Sequence, residues 1–242
     1  MPAKGATDAV PPVDDSVSPM TSDRVTAIVV CGPVPPSPEA VALIPRRPDC
    51  VVAADVGLRH AAALGVKVDL VVGDLDSLDA AEIDAARRAG ITIERHSRFK
   101  DVTDLELAIL AAIERDASRV VVVDGGVGPR VDHFLANALV LASARFAACR
   151  VEAALGDAWV SVINDRSGLV ALRGAVGSIV TLLAVGGAAR GVTSDGLRWA
   201  LDRRTLRPGS SLGVSNEIAT VPARIEVESG CLLAIQPFGG AQ

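Results

Sequence analysis

Two aspartates two residues apart, Asp74 and Asp76 in "VVGDLDS", follow a run of β-branched residues and precede a serine. On extended backbone, residues two apart point to the same side. Carboxylates so placed repel each other unless a cation lies between them. A hard ion such as magnesium takes these oxygen ligands and keeps positions for water and phosphate. The plainer alternative is that Asp76 or Ser77 caps the helix that follows. A second acidic pair, Asp101 and Asp104 in "KDVTDLE", brackets another helix start beside Lys100. Alone these residues are again caps; beside a D-x-D at the end of a different strand they complete the oxygen ligands for one or two metal ions.

A third segment, "DGGVGPRVDHF", follows the apolar run Val120 to Val123. Its glycines allow a loop whose backbone N–H groups face phosphate, Arg130 is a forked cation suited to phosphate oxygens, and Asp132 opens the next helix. The G-x-x-x-x-G-K-[ST] pattern of a P-loop is absent, and a plain turn is the simpler reading of this segment by itself. Together the three segments offer Asp74, Asp76, Asp101 and Asp104 to metal, and Lys100 and Arg130 to phosphate. That is the inventory of phosphoryl or diphosphoryl transfer, where bound cations neutralise a polyphosphate and side chains position a nucleophile.

The elements that must position these residues alternate. "VTAIVVCG", "CVVAADVG", "VDLVVGDLDS", "ITIERHS" and "RVVVVDGG" are strand-like, and between them lie helical patterns with readable ends. Ser37 stands before Pro38, Asp79 stands three residues before Glu82, and Thr103 and Glu106 form a T-x-x-E capping box. Strands apolar along their whole length, alternating with helices, predict an α/β fold: a parallel sheet with helices on both faces. Such sheets bind ligands beyond the carboxyl ends of their strands. After about Asp157 the helical runs stop. "AWVSVIN", "GLVALRG", "SIVTLLAVGG", "GLRWALD", "ARIEVESG" and "CLLAIQPF" predict a smaller all-β sandwich domain. The expected division is a flexible tail at 1–23, an α/β catalytic nucleotide-binding domain at 24–157, and a β-sandwich domain at 158–240.

Half of the 242 residues are apolar, which is enough for a sizeable core, and the net charge of −5 argues against a duplex nucleic-acid binder with a broad basic face. Cys31, Cys50, Cys149 and Cys231 stand singly, without zinc-ligand spacing, and read as reduced thiols. No apolar run reaches the roughly 18 to 20 residues of a membrane span. The first 23 residues lack a basic start followed by an apolar stretch, so a cytoplasmic location is expected.

The ordered set "AADVG", "VVGDLDSLD", "KDVTDLELAI" and "GPRVDHFLAN", followed by "GLRWAL" and "GVSNE", resembles the thiamine pyrophosphokinase family from about Ile28 to Ile235. The resemblance implies transfer of diphosphate from ATP to thiamine with Mg2+, and a homodimer with thiamine sites between subunits. By position it assigns Asp74, Asp76, Asp104 and Asp101 to the metal and phosphate environment. Lys100, Thr103, Arg130 and Asp132 match nucleotide-side residues, Asp55 and Gly57 match a substrate-binding turn, and Trp199, Ser215 and Asn216 match segments that meet thiamine. Asp101 or a metal-bound water is the expected proton acceptor. Two positions depart from the family pattern: Val56 stands where a glycine is usual, and Pro129 removes a backbone N–H from the phosphate-side loop. Three other readings remain at this point. They are a diphosphotransferase acting on another alcohol such as a hydroxymethylpterin, a D-x-D glycosyltransferase that leaves "KDVTD" unexplained, and a non-catalytic nucleotide- or thiamine-binding module.

Overall fold

The structure, a computed structural model, describes residues 25–239, so the expected tail at 1–23 lies outside the described residues. Strands and helices alternate as the apolar pattern predicts: β1 (Thr26–Cys31), α1 (Pro38–Leu43), β2 (Cys50–Ala54), α2 (Gly57–Ala63), β3 (Leu70–Gly73), α3 (Ala80–Arg88), β4 (Thr92–Arg95), α4 (Asp104–Ile113), β5 (Arg119–Asp124), α5 (Val131–Val140) and β6 (Arg150–Leu155). Strands alone follow: β7 (Ala158–Asn164), β8 (Val170–Ala171), β9 (Ile179–Ala184), β10 (Ala189–Asp195), β11 (Arg204–Leu206), β12 (Asn216–Glu217), β13 (Arg224–Glu226) and β14 (Cys231–Pro237).

Period-two side-chain alternation explains why the first strands are apolar throughout. Ala27 and Val29 of β1 pack with Val52, Val120 and Val122 beneath Leu105, Ala108 and Ile109 of α4. Ile28 and Val30 point the other way, joining Val51, Ala53 and Val71 beneath Ala61 of α2. The helices start where their caps predict. Ser37 Oγ accepts from the Ala40 amide at 3.2 Å, Thr103 Oγ1 accepts from that of Glu106 at 3.1 Å, and Asp79 and Glu82 exchange both bonds of a capping box. Each cap is worth about 1 kcal/mol and fixes where a loop ends.

Strands β6, β5, β1, β2, β3 and β4 pair in parallel, in that order. The sheet does not stop at the expected domain border. β6 turns through Gly156 into antiparallel β7, and β14, β9 and β12 continue the same sheet to ten strands. A four-stranded antiparallel sheet, β11-β10-β13-β8, packs on this extension through Ile163, Leu182, Val192, Ile225 and Leu232. The sandwich is therefore half its own sheet and half an extension of the parallel one.

One expected strand is absent. "GLRWALD" forms an irregular crossing with a single bridge, Leu197 to Ile218. Gly196 has φ +77°, with the Thr220 carbonyl only 2.7 Å from where a Cβ would stand, and the Trp199 N–H is taken by the Asn216 side chain rather than a ladder.

β6 carries a buried carboxylate, Glu152, whose side chain is 3% exposed and pairs with Arg119 and Arg150, each at 2.9 Å. Burial opposes its ionisation, but Arg150, Arg119 and Arg173 outweigh burial and hold its carboxyl below the ordinary range. A depressed folded pKa gives stability that is present above the ordinary carboxylate value and lost as pH falls through the folded value. Glu152→Ala, which leaves arginines unpaired at the junction of β5 and β6, is expected to cost about 3 kcal/mol in urea unfolding at pH 7. That deficit should shrink in acid, where the wild type loses the same pairing; equal stabilities at pH 7 would contradict the assignment.

Candidate functional site

β2 and β3 are neighbours, so the residues that leave their carboxyl ends lie side by side. Asp55 follows β2 and keeps the ladder for one more bond, its N–H donating to Val72 O at 3.0 Å. Its φ of +46° turns the carboxylate off the strand direction. β3 ends at Gly73, and the chain then places Asp74 and Asp76 on either side of Leu75. Leu75 is buried in the core with Leu78, at φ +61°, so the apolar residue between the carboxylates anchors the turn from inside. The Asp76 N–H donates to Asp74 Oδ1 at 3.2 Å, and Arg95 Nε donates to the Asp74 carbonyl at 3.2 Å.

The outcome is one group of three carboxylates, Asp55, Asp74 and Asp76, with one oxygen from each within 4.8 Å of the others. Oxygens around a small divalent ion at about 2.1 Å stand at most about 4.2 Å apart, so slight side-chain rotation closes this group on a cation. Asp55 Oδ1 is buried and has no hydrogen-bond donor among the described residues, as a ligand oxygen awaiting a cation would be. Burial, then the charges of Asp104 and Asp76, raises the Asp55 pKa, against hydrogen bonds from Ser77 and the Val56 amide. A bound cation would reverse that balance. The donor set, all oxygen, fits a hard divalent ion.

This group differs from the expected ligand set. Asp55, expected as a substrate-binding residue, is a member, whereas Asp101 and Asp104 are not. Asp104 is the first residue of α4, so it comes to the rim from a separate element rather than from the ends of β2 and β3. Asp104 sits against Gly73, where a Cβ would stand 3.0 Å from Asp104 Oδ1 and 3.3 Å from Asp55 Cβ. Lys100 Nζ lies 2.8 Å from that same Oδ1, in an ion pair without hydrogen-bond alignment, and its side chain is only 15% exposed. Lys100 is thus the fixed counter-charge of Asp104. Thr103 is the N-cap of α4, and Asp101 is exposed on the loop before it.

Sequence reasoning passed over two residues here. Arg98 reaches Asp76 Oδ2 at 2.7 Å. Asp124, at the end of β5, is buried and accepts from the Gly126 N–H at 3.0 Å and from Asn137 Nδ2 at 3.2 Å, which shapes the start of the glycine loop. The signal for Asp124 was present, an acid ending an otherwise apolar strand; Arg98 has no signal outside the folded loop. Arg130 and Asp132 pair with each other at 2.6 Å, both exposed, so neither is committed to the acidic group. Gly57 owes its identity to close approach, since a Cβ there would lie 2.0 Å from Val30 O. Val56, at φ −54° and ψ −18°, adopts helical backbone open to any residue, which accounts for the lost glycine.

In the sandwich, Trp199 is 57% exposed, with the Arg198 guanidinium 5.3 Å from its ring centre. Asn216 is buried and grips the Trp199 backbone from both sides, accepting from its N–H at 3.1 Å and donating to its carbonyl at 2.8 Å. Its amide is thereby occupied in holding the indole in place. Ser215, at φ +54°, is exposed beside it, its N–H donating to Thr181 Oγ1 at 3.0 Å.

Two family models match the chain. Residues 43–153 match the thiamin pyrophosphokinase catalytic domain, and residues 169–232 match the thiamin pyrophosphokinase vitamin B1 binding domain. Thiamine pyrophosphokinase 1 of Arabidopsis thaliana is 25% identical over 176 residues, which is 70% of this chain and 65% of that protein, just short of two thirds of its length. Among solved structures, the thiamine pyrophosphokinase of Bacillus subtilis superposes with a TM-score of 0.73 at 20% identity, covering 88% of this chain and 98% of that one. A family member from Enterococcus faecalis gives 0.69 at 22% identity, covering 88% and 98%. These likenesses span both the parallel sheet and the sandwich.

Gly73 is the tightest point of the acidic rim: its φ is +147°, and Asp104 and Asp55 both press on it. Gly73→Ala is expected to cost about 1 to 3 kcal/mol of stability from backbone strain, and to weaken binding of Mn2+ as a probe cation. Urea unfolding and Mn2+ titration read the two effects; unchanged Mn2+ affinity would show that the spacing of the carboxylates does not depend on this glycine.

Proposed function

The chain belongs to the thiamine pyrophosphokinase family, and on that premise we propose that it transfers the terminal diphosphate of ATP to the hydroxyethyl group of thiamine, releasing AMP. The observation that carries this reading is the convergence of Asp55, Asp74 and Asp76 at adjacent strand ends, within 4.8 Å. Those three residues would hold the divalent cation, with Mg2+ as the ion of the reading. When bound, such an ion shields polyphosphate charge and favours attack at phosphorus.

The chain's own residues do the rest by positioning. The thiamine hydroxyl oxygen forms a bond to the β-phosphorus as the bond from that phosphorus to the oxygen of AMP breaks, and the hydroxyl proton departs, with exposed Asp101 as its proposed acceptor. Lys100 keeps the Asp104 charge paired beside Gly73. Arg130, in this reading, exchanges its exposed Asp132 partner for phosphate, an exchange that costs little because surface pairs are worth about 1 kcal/mol or less. Asn216 fixes the backbone of Trp199, whose indole offers a face to the cationic thiamine ring. The assignment of 24–157 to nucleotide and of 158–240 to thiamine belongs to the same proposal.

A homodimer is part of it too. α5 buries none of its residues, and Val131, Leu135 and Leu139 form an exposed apolar stripe at four-residue spacing that Val127 extends into the glycine loop. A second copy on that stripe would stand beside the phosphate-side loop. No helix among the described residues is long and apolar enough to cross a membrane.

The direct test is incubation of the pure chain with ATP, Mg2+ and thiamine, reading products by mass. Thiamine should gain one diphosphate while AMP appears; gain of a single phosphate, or no change with thiamine but turnover with a hydroxymethylpterin, would contradict the reading. Asp76→Asn should keep the melting temperature within a few degrees and lower turnover by at least about a hundredfold.

A further inference from the structure

Asp76 is the exposed member of the acidic group, and it is not alone. Arg98 Nη2 lies 2.7 Å from Asp76 Oδ2, with the aspartate side chain 44% exposed and the arginine 73%. Two residues on, Lys100 is paired with Asp104 but is largely buried. Phe99 between them faces solvent at 95% exposure, so the loop touches the rim through its two cations and turns its ring away. The same loop is tied at its start by the His96 N–H donating to Gly73 O at 2.8 Å. One short segment thus delivers two positive charges to the acidic rim, one fixed and one free to leave.

The charges around the rim explain the difference. Asp55, Asp74, Asp76 and Asp104 meet two cations that pair with their carboxylates, Arg98 and Lys100, while Arg95 binds only the Asp74 backbone carbonyl. Lys100 neutralises a carboxylate outside the group of three, whereas Arg98 neutralises a carboxylate inside it. A divalent ion held by Asp55, Asp74 and Asp76 would share the Asp76 carboxylate with the guanidinium, and two positive groups so close repel. One must retreat. The guanidinium is on a long, solvent-exposed side chain whose pair is weak, and its departure exposes little that was buried.

We propose that Arg98 is a displaceable counter-ion: it occupies Asp76 while the site lacks a divalent cation and yields that carboxylate when the cation binds. The proposal rests on the reading that the three aspartates hold the cation. Arg98 is then a positioning residue, acting through Asp76, and it sets how tightly the site holds metal. Keeping the group partly neutralised without metal limits mutual repulsion at the strand ends, and competition makes cation binding weaker than the three aspartates alone would give.

The test uses the full chain without nucleotide and Mn2+ as the probe, with Arg98→Ala, Arg98→Lys and, as a control for charge loss elsewhere, Arg87→Ala, whose exposed pair with Asp84 lies on α3. Free Mn2+ followed by electron paramagnetic resonance should show Arg98→Ala binding about twofold to fivefold more tightly than wild type. Arg98→Lys should bind nearly as wild type, and Arg87→Ala should be unchanged. In chelator, Arg98→Ala should melt below wild type, and saturating Mn2+ should close that gap. Equal or weaker Mn2+ binding by Arg98→Ala, or a melting deficit that metal leaves untouched, would overturn the counter-ion role while the metal site stands. Absence of Mn2+ binding in the wild type would overturn both.

Discussion

Mutual repulsion among three carboxylates on adjacent strand ends is the constraint around which this fold is arranged. The spacing of Asp55, Asp74 and Asp76 within 4.8 Å is not a relaxed arrangement for a chain in water. The backbone carries part of the burden: Asp55 and Leu75 sit at positive φ, and Gly73 is squeezed between Asp104 and Asp55. Non-glycine residues in that region cost on the order of 1 kcal/mol or more and persist only where surrounding structure over-determines them. Here the over-determination is visible: Leu75 is fixed in the core, and Asp55 is hydrogen-bonded to Val72 of the next strand. Strain and like charge are together what the proposed cation would offset.

The remaining parts of the site answer to the same rim. Lys100 pairs with Asp104, which α4 brings against Gly73, and Arg98 pairs with the exposed Asp76. On the sandwich side, buried Asn216 spends its amide on the backbone of Trp199, so the indole is held by a buried polar clamp while its ring stays open to solvent. Because β6 belongs to both the parallel strands and the antiparallel extension, these two regions are joined by a continuous hydrogen-bonded sheet rather than by a linker.

How much of this could be read in advance follows the range of the interactions concerned. Local signals were legible: the caps at Ser37, Asp79 and Thr103, the apolar strands, and the shared direction of Asp74 and Asp76 all depend on neighbours a few residues apart. Asp55 joins the acidic group only because β2 pairs with β3, a register no local pattern states. Asp104 and Asp74 look alike in sequence, and only the fold shows that Asp104 is paired with Lys100 while Asp74 joins Asp55 and Asp76. Arg130, suited by its forked cation to phosphate, meets Asp132 two residues away in an exposed pair that sequence spacing alone does not state. "GLRWALD" alternates like a strand but lacks a ladder, since a side-chain amide takes the place of a partner strand.

Crystals of the full chain soaked in Mn2+, with anomalous scattering recorded, address the central claim most directly. The account predicts a single strong peak bounded by oxygens of Asp55, Asp74 and Asp76, with the Arg98 guanidinium moved off Asp76. A peak at another set of side chains, or full Mn2+ occupancy with Asp55 turned away from it, would contradict it.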